Sequence, residues 1–439
     1  MIFISTKISK YILLGLVKQI MKKNLITLLV LLLTAGALSA QKPQSHNSCG
    51  GINLSIWKGI ATQRVDTVSS TWLNIGLVSY MNRLNGLSVN VLANATRTDA
   101  IGLQVSGIAN VTGESMQGIQ LAGITNINGD HLCGISLSGV VNISGDKAQG
   151  LMAGGLVNIS GEAMQGISLG GLLNISGNKS CGVQIGGMAQ ITGGNSSGIS
   201  LGGLLNVTGK SMNGVQMAGL LNIAGSKVNG IQLAPLGNVT GENLHGLQLS
   251  GIGNLCGGTV KGVQVAPFNA SKRVTGLQIG LVNYRKDSLS RGAQLGLVNL
   301  TPRTRYQLMM GVGNNSTFDV GARFKNHRWF TILGMGTGYR HVGSKFNASF
   351  FYRAGVEYPL AGGFSLSGDL GYRHIESFSN KHHGHPKSLY ALQGRLQLHY
   401  QLKPRLSLFA GSGYSQTRRY DSGTPFDKSA LLEAGVVLF

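Results

Sequence analysis

The middle of this 439-residue chain lacks aromatic residues altogether. Phe, Tyr and Trp are absent from residues 102–261, whereas from residue 306 onward they account for 21 of the chain's 28. Membrane barrels carry aromatic girdles at both interfaces with the bilayer. The absence argues against a membrane barrel in the middle of the chain, and the return of aromatics is compatible with one at its end.

Cysteine is also scarce, and its spacing fits no metal or redox motif. The four cysteines are Cys49, Cys133, Cys181 and Cys256. Cys133 and Cys181 occupy the same position of a sequence repeat, three units apart. If the units stack about 4.8 Å apart, these two residues lie about 14 Å from each other, too far for a disulfide. We expect the cysteines to be small buried or turn residues of an exported protein.

Acidic residues number 15 against 37 Lys and Arg, which gives a formal net charge of +22. The excess lies outside the middle of the chain. Residues 102–261 carry five Lys and five acidic residues, whereas residues 262–439 carry 22 basic and 8 acidic ones. No aromatic-basic platform for nucleic acid is present. We expect the basic excess to face anionic lipid head groups, polysaccharide or a water-filled lumen.

The N-terminal region has the pattern of a secretory signal peptide. A basic start at Met21–Asn24 precedes an apolar run at residues 25–33, and Leu-Ser-Ala at residues 38–40 provides a small-residue cleavage site. The apolar run is too short to span a bilayer comfortably. We predict a signal peptide over residues 1–40, cleaved after Ala40, with Met21 as an alternative start of translation.

A glycine recurs every sixteen residues from Gly86 to Gly262. Counted from that glycine, positions 2, 4 and 10 are aliphatic, position 3 is mostly Gln or Ser, position 9 is Asn and position 11 is usually Ser or Thr. A short fixed period predicts a stacked array in which each unit buries its apolar side against its neighbours. The alternating, β-branched pattern predicts short strands, with glycines at turns that need a positive φ.

Two polar columns follow from the repeat. Position 9 predicts a structural column whose amide side chains bond to one another in a ladder. Its members are Asn110, Asn126, Asn142, Asn158, Asn174, Asn206, Asn222, Asn238 and Asn254, with Gln190 in the one gap. Position 3 predicts an outward polar strip that could bind a polymer such as a glycan, or that simply keeps an edge soluble. Its glutamines are Gln104, Gln120, Gln184, Gln216, Gln232 and Gln248.

Two architectures fit the repeat. In a β-solenoid each unit is one coil and successive strands stack in parallel. In an antiparallel meander each unit is one strand with a tight turn, so alternate turns lie at opposite ends, where membrane barrels have short turns and long loops respectively. The turn segments of the repeats show no such alternation. We therefore predict a solenoid over residues 86–302, after a lead-in or cap at residues 41–85.

Residues 303–439 have a different pattern. Phe350 and Tyr352 lie on one face of a predicted strand, and Ser349, Arg353 and Glu357 lie on the other. Apolar-out, polar-in alternation predicts an outer-membrane-type antiparallel barrel. About eight strands are expected, at residues 306–314, 317–326, 329–340, 346–358, 364–375, 389–402, 405–416 and 430–439. A soluble β-sandwich or barrel capping the array is the alternative.

Several segments resemble a family of bacterial surface-repeat proteins. The Gly-x-Gln-x-Gly-Leu-Val-Asn units at residues 276–283 and 292–299 are similar to its repeats. Residues 72–86 look like the opening segment of members from Bacteroidetes-type bacteria, and residues 328–336 and 400–411 look like the family's C-terminal part. The resemblance implies a location in the cell envelope, and it supplies neither catalytic residues nor a defined ligand.

The sequence thus predicts an all-β, exported, non-enzymatic outer-membrane or cell-surface protein that acts as a scaffold or adhesin-like platform. Its expected partners are outer-membrane lipid, the outer-membrane assembly machinery, for which Phe439 is the expected C-terminal signal, and a glycan or another surface protein. No cofactor or metal is expected, because the histidine cluster at residues 382–385 has the composition of a solvated loop. The competing hypothesis is one large barrel, built from the repeats and the C-terminal strands, with Gln, Asn and Ser lining a pore.

Overall fold

The computed structural model describes residues 51–63, 70–288, 290–339, 347–378, 388–420 and 426–439. The regular structure of these residues is all β-strand, and they contain no helix long and apolar enough to cross a membrane. The predicted signal peptide, Cys49 and the histidine cluster lie outside the described residues. The chain divides into two compact units, Met1–Gly251 and Ile252–Phe439.

Most repeats of the first unit contain two strands, a longer one and one of four residues. They are β1 (Gly51–Trp57), β2 (Ile60–Ala61), β3 (Ser70–Met81), β4 (Arg83–Thr96), β5 (Ala100–Ser106), β6 (Ala109–Thr112), β7 (Met116–Ala122), β8 (Thr125–Asn128), β9 (His131–Ser138), β10 (Val141–Ser144), β11 (Lys147–Gly154), β12 (Val157–Ser160), β13 (Ala163–Gly170), β14 (Leu173–Ser176), β15 (Lys179–Gly186), β16 (Ala189–Thr192), β17 (Asn195–Gly202), β18 (Leu205–Thr208), β19 (Met212–Ala218), β20 (Leu221–Ala224), β21 (Val228–Ala234), β22 (Gly237–Thr240) and β23 (Leu244–Ser250).

The second unit holds further coil strands and then the barrel. The coil strands are β24 (Gly253–Val260), β25 (Val263–Val265), β26 (Phe268–Val274), β27 (Leu277–Ile279), β28 (Val282–Arg285), β29 (Ala293–Leu295) and β30 (Val298–Leu300). The barrel strands are β31 (Arg305–Gly313), β32 (Phe318–Asn326), β33 (Trp329–Thr337), β34 (Asn347–Pro359), β35 (Phe364–Ser377), β36 (Ser388–Lys403), β37 (Leu406–Arg419) and β38 (Asp427–Leu438).

The repeats form a parallel β-solenoid of about 15 turns, as predicted. Each strand pairs in parallel with its equivalent one coil later, so that Gly150 lies opposite Gly166, and Gly166 opposite Gly182. The solenoid begins before the predicted boundary at residue 86, because β1 already pairs in parallel with β3, and β3 with β4. The lead-in therefore contributes solenoid strands.

The aliphatic positions of the repeat face outward, which corrects the expectation that each unit buries its apolar side. Ile167 and Leu169 are 45% and 38% exposed, whereas Ser168 between them is 2% exposed. On the short strand, Asn174 and Ser176 are buried in the same way. The interior is therefore largely polar. One mostly apolar column remains inside it, two residues before the repeat glycine, and includes Met116, Leu132, Ala148 and Met164, with Ser180 and Ser196 in two later coils.

The recurring glycine lies within a strand and not at a turn, which corrects a second expectation. From Gly86 to Gly246 its φ ranges from 102° to 152°. The in-and-out alternation continues through it, so that Met164 and Ser168 point inward and Ile167 between them points outward. A Cβ on Gly166 would lie 2.2 Å from the carbonyl oxygen of Gly150. Both the backbone conformation and the close stacking of coils therefore require glycine.

The asparagine column forms the predicted ladder in the interior. Asn158 Nδ2 donates to Asn174 Oδ1 at 2.9 Å and to the carbonyl of Leu169 at 2.7 Å. The same amide-to-amide bond recurs from Asn94 through Asn174, from Asn206 through Asn238 and, in the second unit, from Asn254 through Asn299. At the gap, Gln190 Nε2 donates to Gln184 instead, and the buried Asn206 Oδ1 has no hydrogen-bond partner.

The glutamine column is interior too, so the predicted outward polar strip is wrong. Its six glutamines, Gln104, Gln120, Gln184, Gln216, Gln232 and Gln248, are all buried. Gln120 Nε2 donates to Gln104 Oε1 at 2.9 Å, and Gln248 Nε2 donates to Gln232 Oε1 at 2.8 Å. Gln216 joins the second of these pairs, so the column holds two short ladders, while Gln184 accepts from Gln190. None of these side chains is available to a glycan.

The last eight strands close into an antiparallel barrel, close to the predicted boundaries. The first and last strands pair, with Met309 opposite Val437. The predicted alternation is confirmed, since Phe350 is 58% exposed on the outer wall and Arg353 is 1% exposed inside. The hypothesis of one large barrel is wrong, because the repeats pair in parallel with one another and the barrel closes with its own strands.

Removal of one whole coil should leave a folded protein. Deletion of residues 166–181 brings Gly182 opposite Gly150 and keeps every later position in register, whereas deletion of residues 166–173 removes half a coil and mismatches the polar ladders. Because each coil contacts only its neighbours, we expect the first variant to match the wild type in folded yield and protease resistance. We expect the half-coil deletion to lower both the folded yield and the protease resistance. Equal loss in the two variants would contradict the register described here.

Candidate functional site: the C-terminal barrel

The outer wall of the barrel is apolar. Large aliphatic side chains are exposed along its middle, among them Leu333, Leu370, Leu392, Leu396, Leu408 and Leu432. Exposed aromatic side chains lie nearer the strand ends, among them Tyr306, Trp329, Tyr358, Phe364 and Tyr400 at one end and Phe318, Phe350, Tyr414 and Tyr420 toward the other. The usual outer surface of a membrane barrel is an aliphatic belt between two girdles of aromatic side chains. The closed eight-strand barrel therefore fits an outer-membrane protein.

The two ends of the barrel differ in their connections. Residues 327–328, 360–363 and 404–405 join strands at one end, which also holds the start of β31 and the end of β38. We call this the short-turn end. At the opposite, long-loop end, three of the four connections, at residues 338–346, 378–387 and 420–426, are longer than any at the short-turn end.

The lumen is filled by a network of buried charges. Glu433 on β38 lies at its centre, where Arg353 Nη1 and Arg395 Nε each donate to its carboxylate at 3.2 Å. Gln397 also donates to Glu433. Arg395 Nη1 lies 3.3 Å from a carboxylate oxygen of Asp369. The pairs join strands β34, β35, β36 and β38 across the lumen.

A second carboxylate extends this network toward the long-loop end. Asp319 on β32 accepts from Arg373, and Arg353 Nη2 lies 3.5 Å from it. The guanidinium groups of Arg353 and Arg373 also lie 4.6 and 4.7 Å from the ring centroid of Phe351. Cation–π contacts of this kind stabilise arginines that have lost their water.

Apolar clusters close the space around the charges. One comprises Met309, Phe330, Ile332, Phe351, Phe409 and Val437, with Phe439 packed against it. A cavity of about 20 Å³ remains beside Asp319, Arg353 and Arg395, enough for about one water molecule. Phe439, expected to be an assembly signal, is thus also a packing residue. A lumen so filled offers no path for a solute.

The last coil of the solenoid packs against the barrel near the short-turn end. Asn326 Nδ2 donates to the carbonyl of Asn299 at 2.7 Å, and the Tyr352 hydroxyl donates to the carbonyl of Gly296 at 2.9 Å. Inside this coil, Arg285 Nη1 donates to the carbonyl of Gly292 at 2.7 Å. Burial lowers the pKa of the Arg285 guanidinium, although nearby Asp287 raises it.

The asparagine and glutamine columns that we predicted as sites lie in the solenoid interior, whereas Phe439 packs against the apolar cluster of the barrel. The sequence alone placed Arg353 and Glu357 on the polar face of a strand. It did not identify Asp319 or Glu433 as the partners of Arg353. The available signal was the unusual presence of arginine and carboxylates at inward positions of neighbouring strands.

Comparison with known proteins adds little about function. No family model matches the sequence, and no curated protein matches it. The crystal structure of Neisserial surface protein A (NspA) is similar at a TM-score of 0.23 and 12% identity, over 30% of this chain and 93% of that one. The structure of the Yersinia pestis outer membrane protein Ail in a phospholipid bilayer nanodisc is similar at a TM-score of 0.21 and 15% sequence identity. The match covers 31% of this chain and 99% of that one. The resemblance to surface-repeat proteins stays a prediction.

Replacing Glu433 with glutamine should destabilise the barrel. Glu433→Gln keeps the shape of the side chain but leaves Arg353 and Arg395 without their shared carboxylate, and removing one partner of a buried pair costs about 3–5 kcal/mol. We expect a lower temperature for the conversion of the folded to the unfolded band in heat-modifiable gel migration. Lys403→Gln removes an exposed charge at a strand end and is the matched control. Equal shifts in both variants would mean that the network does not stabilise the barrel.

Proposed function

We propose that the chain is an outer-membrane protein whose barrel anchors a non-enzymatic β-solenoid scaffold. The observation that carries the proposal is the barrel, which combines an apolar outer wall with a lumen filled by Arg353, Arg395 and Glu433. A plugged barrel of this kind serves as an anchor and not as a channel. The predicted signal peptide agrees with export to the outer membrane.

The connections of the barrel favour a periplasmic solenoid. Outer-membrane barrels have short turns on the periplasmic side and longer loops outside. The chain passes from the last coil into the first barrel strand at Arg305, at the short-turn end. The last coil packs there through the hydrogen bond between Asn326 and the carbonyl of Asn299. The filled lumen leaves no route by which the preceding coils could pass through the barrel. We therefore assign the scaffold to the periplasm, in place of the cell-surface location that the sequence led us to expect.

The outward aliphatic rows are the surface that such a scaffold offers. Ile167, Ile199 and Ile231 repeat at the same outward position, and no charged side chain shares it in these coils. A protein partner with an apolar face fits these rows better than a glycan, since the glutamines that could have bonded to a sugar are buried. An adhesin-like platform is the competing function, and it needs the solenoid outside the cell.

Thiol labelling of intact cells tests the orientation. Cys133 and Cys181 are free and exposed in the solenoid, whereas Cys256 is buried. In a Cys49→Ser background expressed in a Gram-negative host, we expect a membrane-impermeant maleimide to label the solenoid only after the outer membrane is permeabilised. Cys256 should stay unlabelled until the protein is unfolded.

A reporter at the opposite end supplies the control. Phe378→Cys, in a chain whose four native cysteines are replaced by serine, places a thiol at the exposed end of β35, beside a long connection. It should react in intact cells. Labelling of Cys181 in intact cells, with Phe378→Cys protected, would reverse the orientation and favour the adhesin-like function.

A further inference from the structure

A concave cluster of positive charge lies at the short-turn end of the barrel. A cavity of about 380 Å³ opens there, roughly ten times the share of one water molecule in the liquid. Its lining includes Arg303, Arg305, Lys325, His327, Arg328 and Glu357. We call this cavity the cationic pocket.

The carboxylate in this lining, Glu357, already has ion-pair partners. Arg323 Nη2 and Lys325 Nζ each lie 2.6 Å from an oxygen of Glu357. The hydroxyl of Ser365 donates to the same carboxylate at 2.8 Å. Glu357 is therefore shared between Arg323 and Lys325, and its single negative charge is not available to the other cations of the pocket.

Three arginines remain beside the cavity. In the described part of the chain, no carboxylate forms an ion pair with Arg303, Arg305 or Arg328. Arg305 also lies directly opposite Lys325 in the ladder between β31 and β32. Like charges in such cross-strand pairs destabilise a sheet. An anion seated between these side chains would relieve the repulsion.

The pocket lies at the same level along the barrel as the aromatic girdle of the short-turn end. The Arg328 guanidinium lies 5.0 Å from the ring centroid of Tyr358, and the Arg328 carbonyl accepts from the backbone of Glu357 at 2.7 Å. Trp329 follows Arg328 in the chain and is exposed on the outer wall. Aromatic rings of membrane proteins lie at the level of the lipid head groups. In a bilayer that surrounds the barrel, the pocket would therefore lie at the depth of the lipid phosphates.

We propose that the cationic pocket binds the phosphate of an anionic phospholipid head group. The inference rests on the proposed function, because it takes the barrel to be in a bilayer. Arginine pairs with phosphate through parallel N–H donors, and basic pockets at a membrane boundary are typical head-group sites. Arg303, Arg305 and Arg328 supply the charge, and Tyr358 holds Arg328 at the rim.

The test measures the selectivity of the full-length protein for lipids. The protein is reconstituted in phosphatidylcholine vesicles with spin-labelled phosphatidylglycerol or spin-labelled phosphatidylcholine, and the immobilised fraction of each probe is compared. We expect a preference for phosphatidylglycerol, which Arg305→Gln/Arg328→Gln lowers at least about tenfold, since the loss of one hydrogen bond between charged groups in a site is worth about that factor. Arg405→Gln removes an exposed arginine at the same end, outside the pocket, and should keep the preference.

A second arm separates a lipid head group from free phosphate. The protein in neutral detergent is titrated with inorganic phosphate by calorimetry, and the lipid assignment predicts no saturation below about 10 mM. Tight binding of inorganic phosphate without selectivity for phosphatidylglycerol would overturn the lipid assignment. Equal effects of the pocket and Arg405→Gln variants would overturn the site itself.

Insertion is checked in the same samples by heat-modifiable migration. A wild-type barrel that inserts but shows no lipid preference refutes the pocket and leaves the anchor intact. A wild-type barrel that fails to insert refutes the proposed function instead. The two failures are therefore distinguishable.

Discussion

Parallel, in-register pairing of coils is the constraint on which the solenoid depends. Asn158 lies opposite Asn142 and Asn174, so the amides of the asparagine column meet the same side chain above and below. An amide has both a donor and an acceptor, so a column of identical amides can satisfy itself. Asparagine and glutamine therefore fill the interior without unpaired polar atoms along most of the array. Where Gln190 replaces asparagine, the longer side chain bonds elsewhere and the ladder breaks.

The same constraint explains where the charges are. A charge at an interior position of a regular stack would face the same charge in both neighbouring coils, and like charges repel. In the solenoid, charged residues such as Asp146, Lys147 and Glu162 lie exposed near turns. In the antiparallel barrel, neighbouring strands differ in sequence, so Arg353 can meet Glu433 and Arg373 can meet Asp319. The barrel can thus bury a network of opposite charges, whereas Arg285, a charge buried in a solenoid coil, lies opposite the neutral Ser271.

Three features of this protein lie at the short-turn end of the barrel. It holds the junction with the last coil, an aromatic ring with Trp329 and Tyr358, and the cationic pocket beside Arg305 and Arg328. A barrel with a filled lumen can act only through its outer wall and its two ends. The proposed anchor and the proposed lipid site therefore belong to one surface, where the chain leaves the membrane and the scaffold begins.

The sequence by itself determined the period of the array, its end near residue 302, the eight barrel strands and the asparagine ladder. These features follow from local alternation, repeat length and the self-complementary amide. It could not decide which face of a repeat strand is inside, because alternation of period two is the same for either orientation. Only the tertiary structure decided that Ile167 is outside and Gln104 inside. It also decided the pairing of Arg353 with Glu433, because the closure of a barrel brings together strands that are far apart in sequence.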